Sequence, residues 1–303
     1  IENFSPRVMA NFGLEWDAVR AANPQAIMVR MPAFGLDGPW RDRVGFAQTM
    51  EQATGMAWMT GHADGPPVIP RGVCDPIAGL HAAFAAVAAL VIRDRGGAGM
   101  QVESAMVEAA LNVAAEMLVE YSRNGIMMRR NGNRGPGAET QGVYRCRGDD
   151  EWVALAAMDA PARASLAGLL NQPELTGWDE RADDIDKLIS DWAAGRSVTE
   201  AVDALRAAGV AAARVTPAAA LLTDPHLHAR GFWETVDHPV AGSFLCTGMP
   251  FAFLGQPRRW VRRVPPLYGQ HTGEVLTEIL GHSERDLADL RRSGTISDRP
   301  AGL

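Results

Sequence analysis

The apolar positions of this chain come in blocks whose period switches between that of a helix and that of a strand. Amphipathic spacing over 14–22 stops at Asn23-Pro24, and Ala26-Ile27-Met28-Val29-Arg30-Met31 follows as a short buried strand. The turn-rich Phe34-Gly35-Leu36-Asp37-Gly38-Pro39 leads to helical spacing over 45–59, and 61–71, with Gly65-Pro66-Pro67, predicts a loop. The densest apolar block comes next. Residues 76–93 predict a helix, 100–104 a strand and 105–124 a second helix. The alternation of strands and helices argues for an α/β layered fold.

The pattern changes at Arg129-Arg130-Asn131-Gly132-Asn133-Arg134-Gly135-Pro136-Gly137. This polar, Gly-rich run is either an interdomain linker or a hinged lid, because glycines absorb large backbone changes. Glu139 and Gln141, at its end, are candidates for substrate contact. Beyond it, 141–145 and 151–157 predict a hairpin across Gly148-Asp149-Asp150, followed by helices over 160–171, 184–194 and 198–208, a strand over 211–215 and a helix over 217–222. This block reads as a second, smaller α+β domain. From Asp224-Pro225 the chain reads as irregular until helices near 272–280 and 284–293.

Composition narrows the function classes. The 303 residues are 47% hydrophobic and 21% charged, an ordinary globular balance with ample core. A net charge of −7 argues against a nucleic-acid partner. Lys187 is the only lysine, which leaves little room for Schiff-base chemistry. Cys74, Cys146 and Cys246 are far apart, so no disulfide framework is expected, and a reducing cytoplasm fits. The seven histidines are dispersed without acidic partners at ligand spacing, so no metal is expected. The longest apolar run, 77–92, holds His81 and falls short of a bilayer span, so no membrane is expected either.

Chemistry concentrates at Gly72-Val73-Cys74-Asp75-Pro76-Ile77-Ala78-Gly79, immediately before the densest helix. Asp followed by Pro is a helix start: Asp is a favoured N-cap, and Pro fits the first helical position. A carboxylate there is also favoured in its ionised form by the helix dipole, as nucleophilic catalysis requires. Cap and catalyst are compatible roles. Cys74 is a second candidate nucleophile, against a buried small side chain. The glycines of Arg95-Gly96-Gly97-Ala98-Gly99 follow a helix and precede a strand, the reverse of a phosphate-binding loop, and read as a helix C-cap and turn.

Several stretches, in order, resemble the family III CoA-transferases, the formyl-CoA and carnitine CoA-transferase group. They are Glu2-Asn3-Phe4-Ser5-Pro6, Phe34-Gly35 with Gly38-Pro39, Thr60-Gly61 with Gly65-Pro66-Pro67, Asp75 with Ala78-Gly79, Arg93 with Arg95, Gly97, Gly99 and Gln101-Val102, and Pro266 with Gly269-Gln270-His271-Thr272. The resemblance implies a Rossmann-like large domain (1–128, with 236–303 returning to it) and a small domain (140–235), in an interlocked homodimer. It implies a missing segment before Ile1. It implies Asp75 as the catalytic aspartate, Asn3, Phe4, Phe12 and Phe46 at the CoA site, and the loop with Gly135, Gly137, Glu139 and Gln141 over the active site. Coenzyme A would be a substrate, with no cofactor held permanently. The implied activity is CoA transfer between an acyl-CoA and a carboxylic acid, through an aspartyl mixed anhydride and an aspartyl-CoA thioester. The chain departs from the family at Asn11, where Arg is common, and at Pro136, Ala138, Glu139 and Thr140, which replace a glycine run. The α-methylacyl-CoA racemases share the fold but carry a catalytic His where this chain has Phe46. An isomerase reading would therefore need Glu51 or His81 as base. A third reading is a truncated chain that binds CoA without catalysis.

Overall fold

The computed structural model describes residues 1–135, 140–178 and 181–300. The chain divides into two compact units, Ile1–Val215 and Thr216–Leu303.

The first unit opens with helices α1 (Pro6–Asn11) and α2 (Trp16–Ala22), then strand β1 (Ile27–Arg30). Strand β1 pairs in parallel with β2 (Met100–Glu103), with Val29 opposite Val102. Between these strands run α3 (Ala47–Ala53), α4 (Met56–Met59) and α5 (Cys74–Asp94). The helical spacing over 45–59 is interrupted because Gly55 is left-handed, with φ 85°. After β2 the apolar block over 105–124 also splits, into α6 (Met106–Val113) and α7 (Ala115–Asn124), at Ala114, whose ψ of 11° leaves the helical range. The parallel pair and its covering helices give the α/β layering expected from the alternation of elements.

Gly99 lets the two strands start together. A Cβ there would lie 2.2 Å from the Ala26 carbonyl oxygen, so only glycine allows the Gly99 N–H to reach Pro24 O at 2.9 Å. Helix α5 packs on α3, α6 and β1. At 21 residues it is longer than the apolar run suggested, and its length and composition would suffice to cross a bilayer. Of its residues Cys74, Ala78, Ala82 and Ala89 are buried.

The antiparallel sheet β3 (Gln141–Arg145), β4 (Trp152–Ala156) and β5 (Ala211–Arg214) carries the hairpin expected from sequence, with Val143 opposite Ala154. Helices α8 (Ala160–Leu169), α9 (Ala182–Ala194) and α10 (Val198–Ala207) complete this region. Its core is the larger one in the unit: Val153, Leu155, Leu166, Ile185, Ile189, Trp192 and Leu205 are buried together. Burying each such side chain contributes about 1.5–3 kcal/mol.

The second unit corrects the expectation of an irregular chain after 224. Helix α11 (Ala218–Leu221) falls within the helix expected over 217–222, and after it come α12 (Pro225–Ala229) and an antiparallel hairpin of β6 (Trp233–His238) and β7 (Gly242–Thr247). The hairpin escapes notice in sequence because no Asn-Gly pair closes it. Instead the His238 Nδ1 accepts the Val240 and Ala241 N–H groups at 3.2 and 2.9 Å and shapes the turn. A short helix, α13 (Thr272–Glu274), runs into a π-helical turn over Val275–Ile279, and α14 (Glu284–Arg292) follows with a Ser283–Asp286 capping box.

Candidate active site

Asp75 stands exposed on the first turn of α5. The reading of Asp75 as the N-cap is corrected by the structure. Helix α5 begins two residues earlier than that cap implies, at Cys74 rather than Pro76, and its cap position is Val73, which makes no side-chain capping bond. The cause lies in the preceding loop. Arg71 and Gly72 are both left-handed, with φ of 70° and 100°, and the chain re-enters helical geometry at Val73. A left-handed backbone costs a residue with a Cβ roughly 1–2 kcal/mol, so Arg71 needs support.

Glu51 supplies that support from α3. Its carboxylate is fully buried. One oxygen accepts the Arg71 N–H at 3.1 Å, and the other accepts the Gly72 N–H at 2.7 Å and the Cys74 N–H at 3.4 Å. Nearby backbone N–H groups in such a turn make a concave anion site, filled here by the protein's own carboxylate. The capping that the sequence assigned to Asp75 is therefore performed by Glu51, and Asp75 is left facing solvent. A signal for Glu51 was present. Ala47, Met50, Glu51 and Thr54 fall at i, i+3, i+4 and i+7, and all four are buried.

The first turn of α5 offers fewer free donors than a helix N-terminus usually does. The Cys74 N–H goes to Glu51, Pro76 has none, and the Ile77 N–H reaches Val73 O at 3.4 Å. Among the described residues, the Asp75 N–H has no protein acceptor. Cys74 is buried, with its thiol directed at Met106 O at 3.7 Å. Burial first, then the Asp75 and Glu51 carboxylates, push its thiol above the ordinary range. That direction, with its burial, disfavours the thiolate that a nucleophilic Cys74 would need. His81 is also engaged, its Nδ1 2.9 Å from Ile77 O.

The residues matched to the CoA site occupy well-anchored backbone. Glu2 pairs with Arg30 at 2.5 Å in a nearly buried ion pair, and Arg30 also donates to Pro6 O at 2.9 Å. The Glu2 N–H and carbonyl bond Val29 and Met31 of the β1 edge, and the second Glu2 oxygen accepts the Phe4 N–H at 2.8 Å. Asn3 and Phe4, both exposed, are held by this clamp. Phe12 closes α1 and is exposed. Phe46 is exposed at the cap position of α3, five residues before Glu51 on the same helix. Helix α3 thus carries both Phe46, at its start, and Glu51, which holds the loop that leads into Asp75.

The described part of the Gly-rich run is tied down on its N-terminal side. Trp58 Nε1–H donates to Met128 O at 3.1 Å, the Gly132 N–H donates to Gly61 O at 2.8 Å, and Arg130 grips Gly65 O through two nitrogens at 2.9 and 2.7 Å. Arg134 bridges to Asp183 and Asp186 on α9, and Asp186 also accepts the Tyr144 hydroxyl at 2.6 Å. Burial, then Asp186, push the Tyr144 phenol far above its ordinary range. Gln141 spends its amide on Asn133 O at 2.8 Å, beside Gly135. Gly137 and Glu139 lie outside the described residues. A cavity of about 300 Å³ lies between His62–Asp64 and Asn131–Arg134, with Gln141 on its wall. Asp75 is not among its lining residues.

The chain matches the pattern of CoA-transferase family III over residues 1–272. It is similar to the succinyl-CoA–D-citramalate CoA-transferase of Chloroflexus aurantiacus, 31% identical over 98% of this chain and 76% of the relative. The formyl-CoA:oxalate CoA-transferase of Rhodopseudomonas palustris is 28% identical over the same shares. Among solved structures it resembles a CAIB/BAIF family protein from Brucella suis, with a TM-score of 0.79 and 25% identity, covering 91% of this chain and 74% of that one.

Proposed function

Because the chain belongs to CoA-transferase family III, we propose that it moves CoA from an acyl-CoA thioester to a free carboxylic acid, with Asp75 as the nucleophile. The observation that carries this reading is the placement of Asp75: an exposed carboxylate on the first turn of α5, with its neighbour Cys74 buried.

In the first step an Asp75 carboxylate oxygen attacks the thioester carbonyl carbon. The C–S bond breaks, CoA leaves as thiolate, and a mixed anhydride remains. The thiolate then attacks the aspartyl carbonyl, the donor acid departs as carboxylate, and Asp75 carries CoA as a thioester. The acceptor carboxylate attacks that carbonyl, expelling CoA thiolate and forming a second anhydride. Thiolate attack on the acceptor acyl carbon releases the new acyl-CoA and restores Asp75. Each step exchanges one acyl bond for another, the sense in which covalent catalysis splits one difficult transfer into easier ones. The Asp75 N–H is the first-turn donor left to stabilise a developing oxyanion.

Asn3, Phe4, Phe12 and Phe46 are the residues we assign to CoA contact, and Gly135 and Gln141 are those we assign to the active-site loop. We assign the chain to a homodimer, in support of which α5 leaves Leu80, Phe84 and Val87 exposed at helical spacing along one stripe. Sedimentation checks this assignment, and a stable monomer would contradict it. The catalytic reading is tested by incubation with succinyl-CoA or formyl-CoA, quenching with hydroxylamine and mapping by mass spectrometry. The expected product is a hydroxamate on Asp75; an adduct confined to another side chain overturns the assignment.

A further inference from the structure

We infer that Glu51 is a positioning residue for Asp75, acting through the backbone of the loop between them; the inference rests on the proposed role of Asp75. Asp75 makes no side-chain hydrogen bond among the described residues, so its carboxylate is placed by its own backbone. That backbone follows directly from Arg71, Gly72 and Cys74, whose N–H groups all point at Glu51. Two of those residues hold left-handed conformations, one of them with a Cβ.

The choice of residue at 51 also needs a reason. The face of α3 on which it lies is otherwise Ala47, Met50 and Thr54, and an apolar side chain would fill the same volume. Among the described residues no cation pairs with Glu51, and a buried carboxylate without a counterion is costly unless its lone pairs are satisfied by hydrogen bonds. The three N–H groups supply that compensation and explain its retention. The arrangement is specific to a carboxylate. Its two oxygens both accept, whereas an amide would set an NH2 group against the Arg71 or Gly72 N–H. Glu51 therefore fixes the register at which α5 begins and leaves the Asp75 carboxylate, rather than a capping bond, at the surface.

The test compares the unsubstituted protein with Glu51→Gln and Glu51→Ala. Three quantities are read with succinyl-CoA and formyl-CoA as probes: the single-turnover rate of the hydroxylamine-trapped adduct, kcat and KM, and the folded fraction. A displacement of the nucleophile by about 1 Å lowers the chemical step roughly 100-fold. Glu51→Gln is expected to slow adduct formation by about that factor at an unchanged folded fraction, with KM within about threefold and the adduct still on Asp75. Glu51→Ala is expected to be at least as slow. If Glu51→Ala does not fold, Glu51→Gln alone decides. An adduct rate in Glu51→Gln within twofold of the unsubstituted protein overturns the positioning role while leaving Asp75 as nucleophile. So does a loss that only tracks the folded fraction. The absence of any Asp75 adduct in the unsubstituted protein with either probe overturns the catalytic reading and this inference with it.

Discussion

Two helices of this chain begin in opposite ways. Helix α10 starts at Ser197, whose hydroxyl accepts the Glu200 N–H at 3.3 Å while the Glu200 carboxylate accepts the Ser197 N–H at 2.8 Å. Donor and acceptor lie three residues apart, and the motif is complete within four positions. Helix α5 starts at Val73-Cys74 with no side-chain cap of its own, and the carboxylate that takes the Cys74 N–H comes from Glu51, on another helix. The first arrangement anchors a structural helix in a packed core. The second leaves the acidic residue of the first turn unspent. A helix that caps itself consumes its local carboxylate, whereas one capped from a distance keeps it available for chemistry.

Removing the unspent carboxylate breaks this contrast most severely. Asp75→Asn is expected to lower kcat by at least about 10⁴-fold, as loss of a covalent nucleophile does, with little change in thermal stability. A steady-state assay beside a melting curve checks both halves. An Asp75→Asn variant that loses stability instead of activity would return Asp75 to a capping role.

The distant cap comes next. Glu51→Ala leaves three backbone N–H groups without their acceptor, the Cys74 one buried and the Arg71 and Gly72 ones partly so, so a loss of about 1–3 kcal/mol is expected in chemical denaturation. The local cap is worth less. Ser197→Ala is expected to cost about 1 kcal/mol and to leave the adduct rate on Asp75 unchanged.

The smallest effect is a pH dependence. Backbone and then side-chain hydrogen bonds from Ser197 hold the Glu200 carboxyl below its ordinary range. A depressed carboxyl stabilises the folded state above the ordinary carboxylate range, and that contribution is lost as pH falls through the folded value. Acid titration of stability is therefore expected to be slightly steeper below about pH 4.5 in the unsubstituted protein than in Ser197→Ala. Ser197→Ala keeps the backbone N–H that Glu200 accepts, so equal slopes would show that the Ser197 hydroxyl carries no linkage.

The same contrast explains what could be read from sequence. Ser197-Val198-Thr199-Glu200 announces a helix start to anyone reading it, because everything the start needs is local. Asp75-Pro76 announces one too, yet the announcement is off by two residues, since the loop conformation at Arg71 and Gly72 depends on an acceptor elsewhere. The His238 turn misled for a related reason: a side chain closes it in place of the turn residues that usually mark a hairpin. The Glu2–Arg30 clamp joins residues that no periodicity connects.

The sequence by itself determined the alternation of helices and strands, the packed β3–β5 region, the resemblance to the family and the prominence of Asp75, because each follows from short-range pattern or from ordered motifs. Only the tertiary structure decided which carboxylate caps α5 and which stays free. That choice depends on Glu51 being buried beside the loop before Asp75. A buried acid must find its hydrogen-bond partners wherever the fold places them, and the partners here are backbone groups whose direction no sequence position specifies.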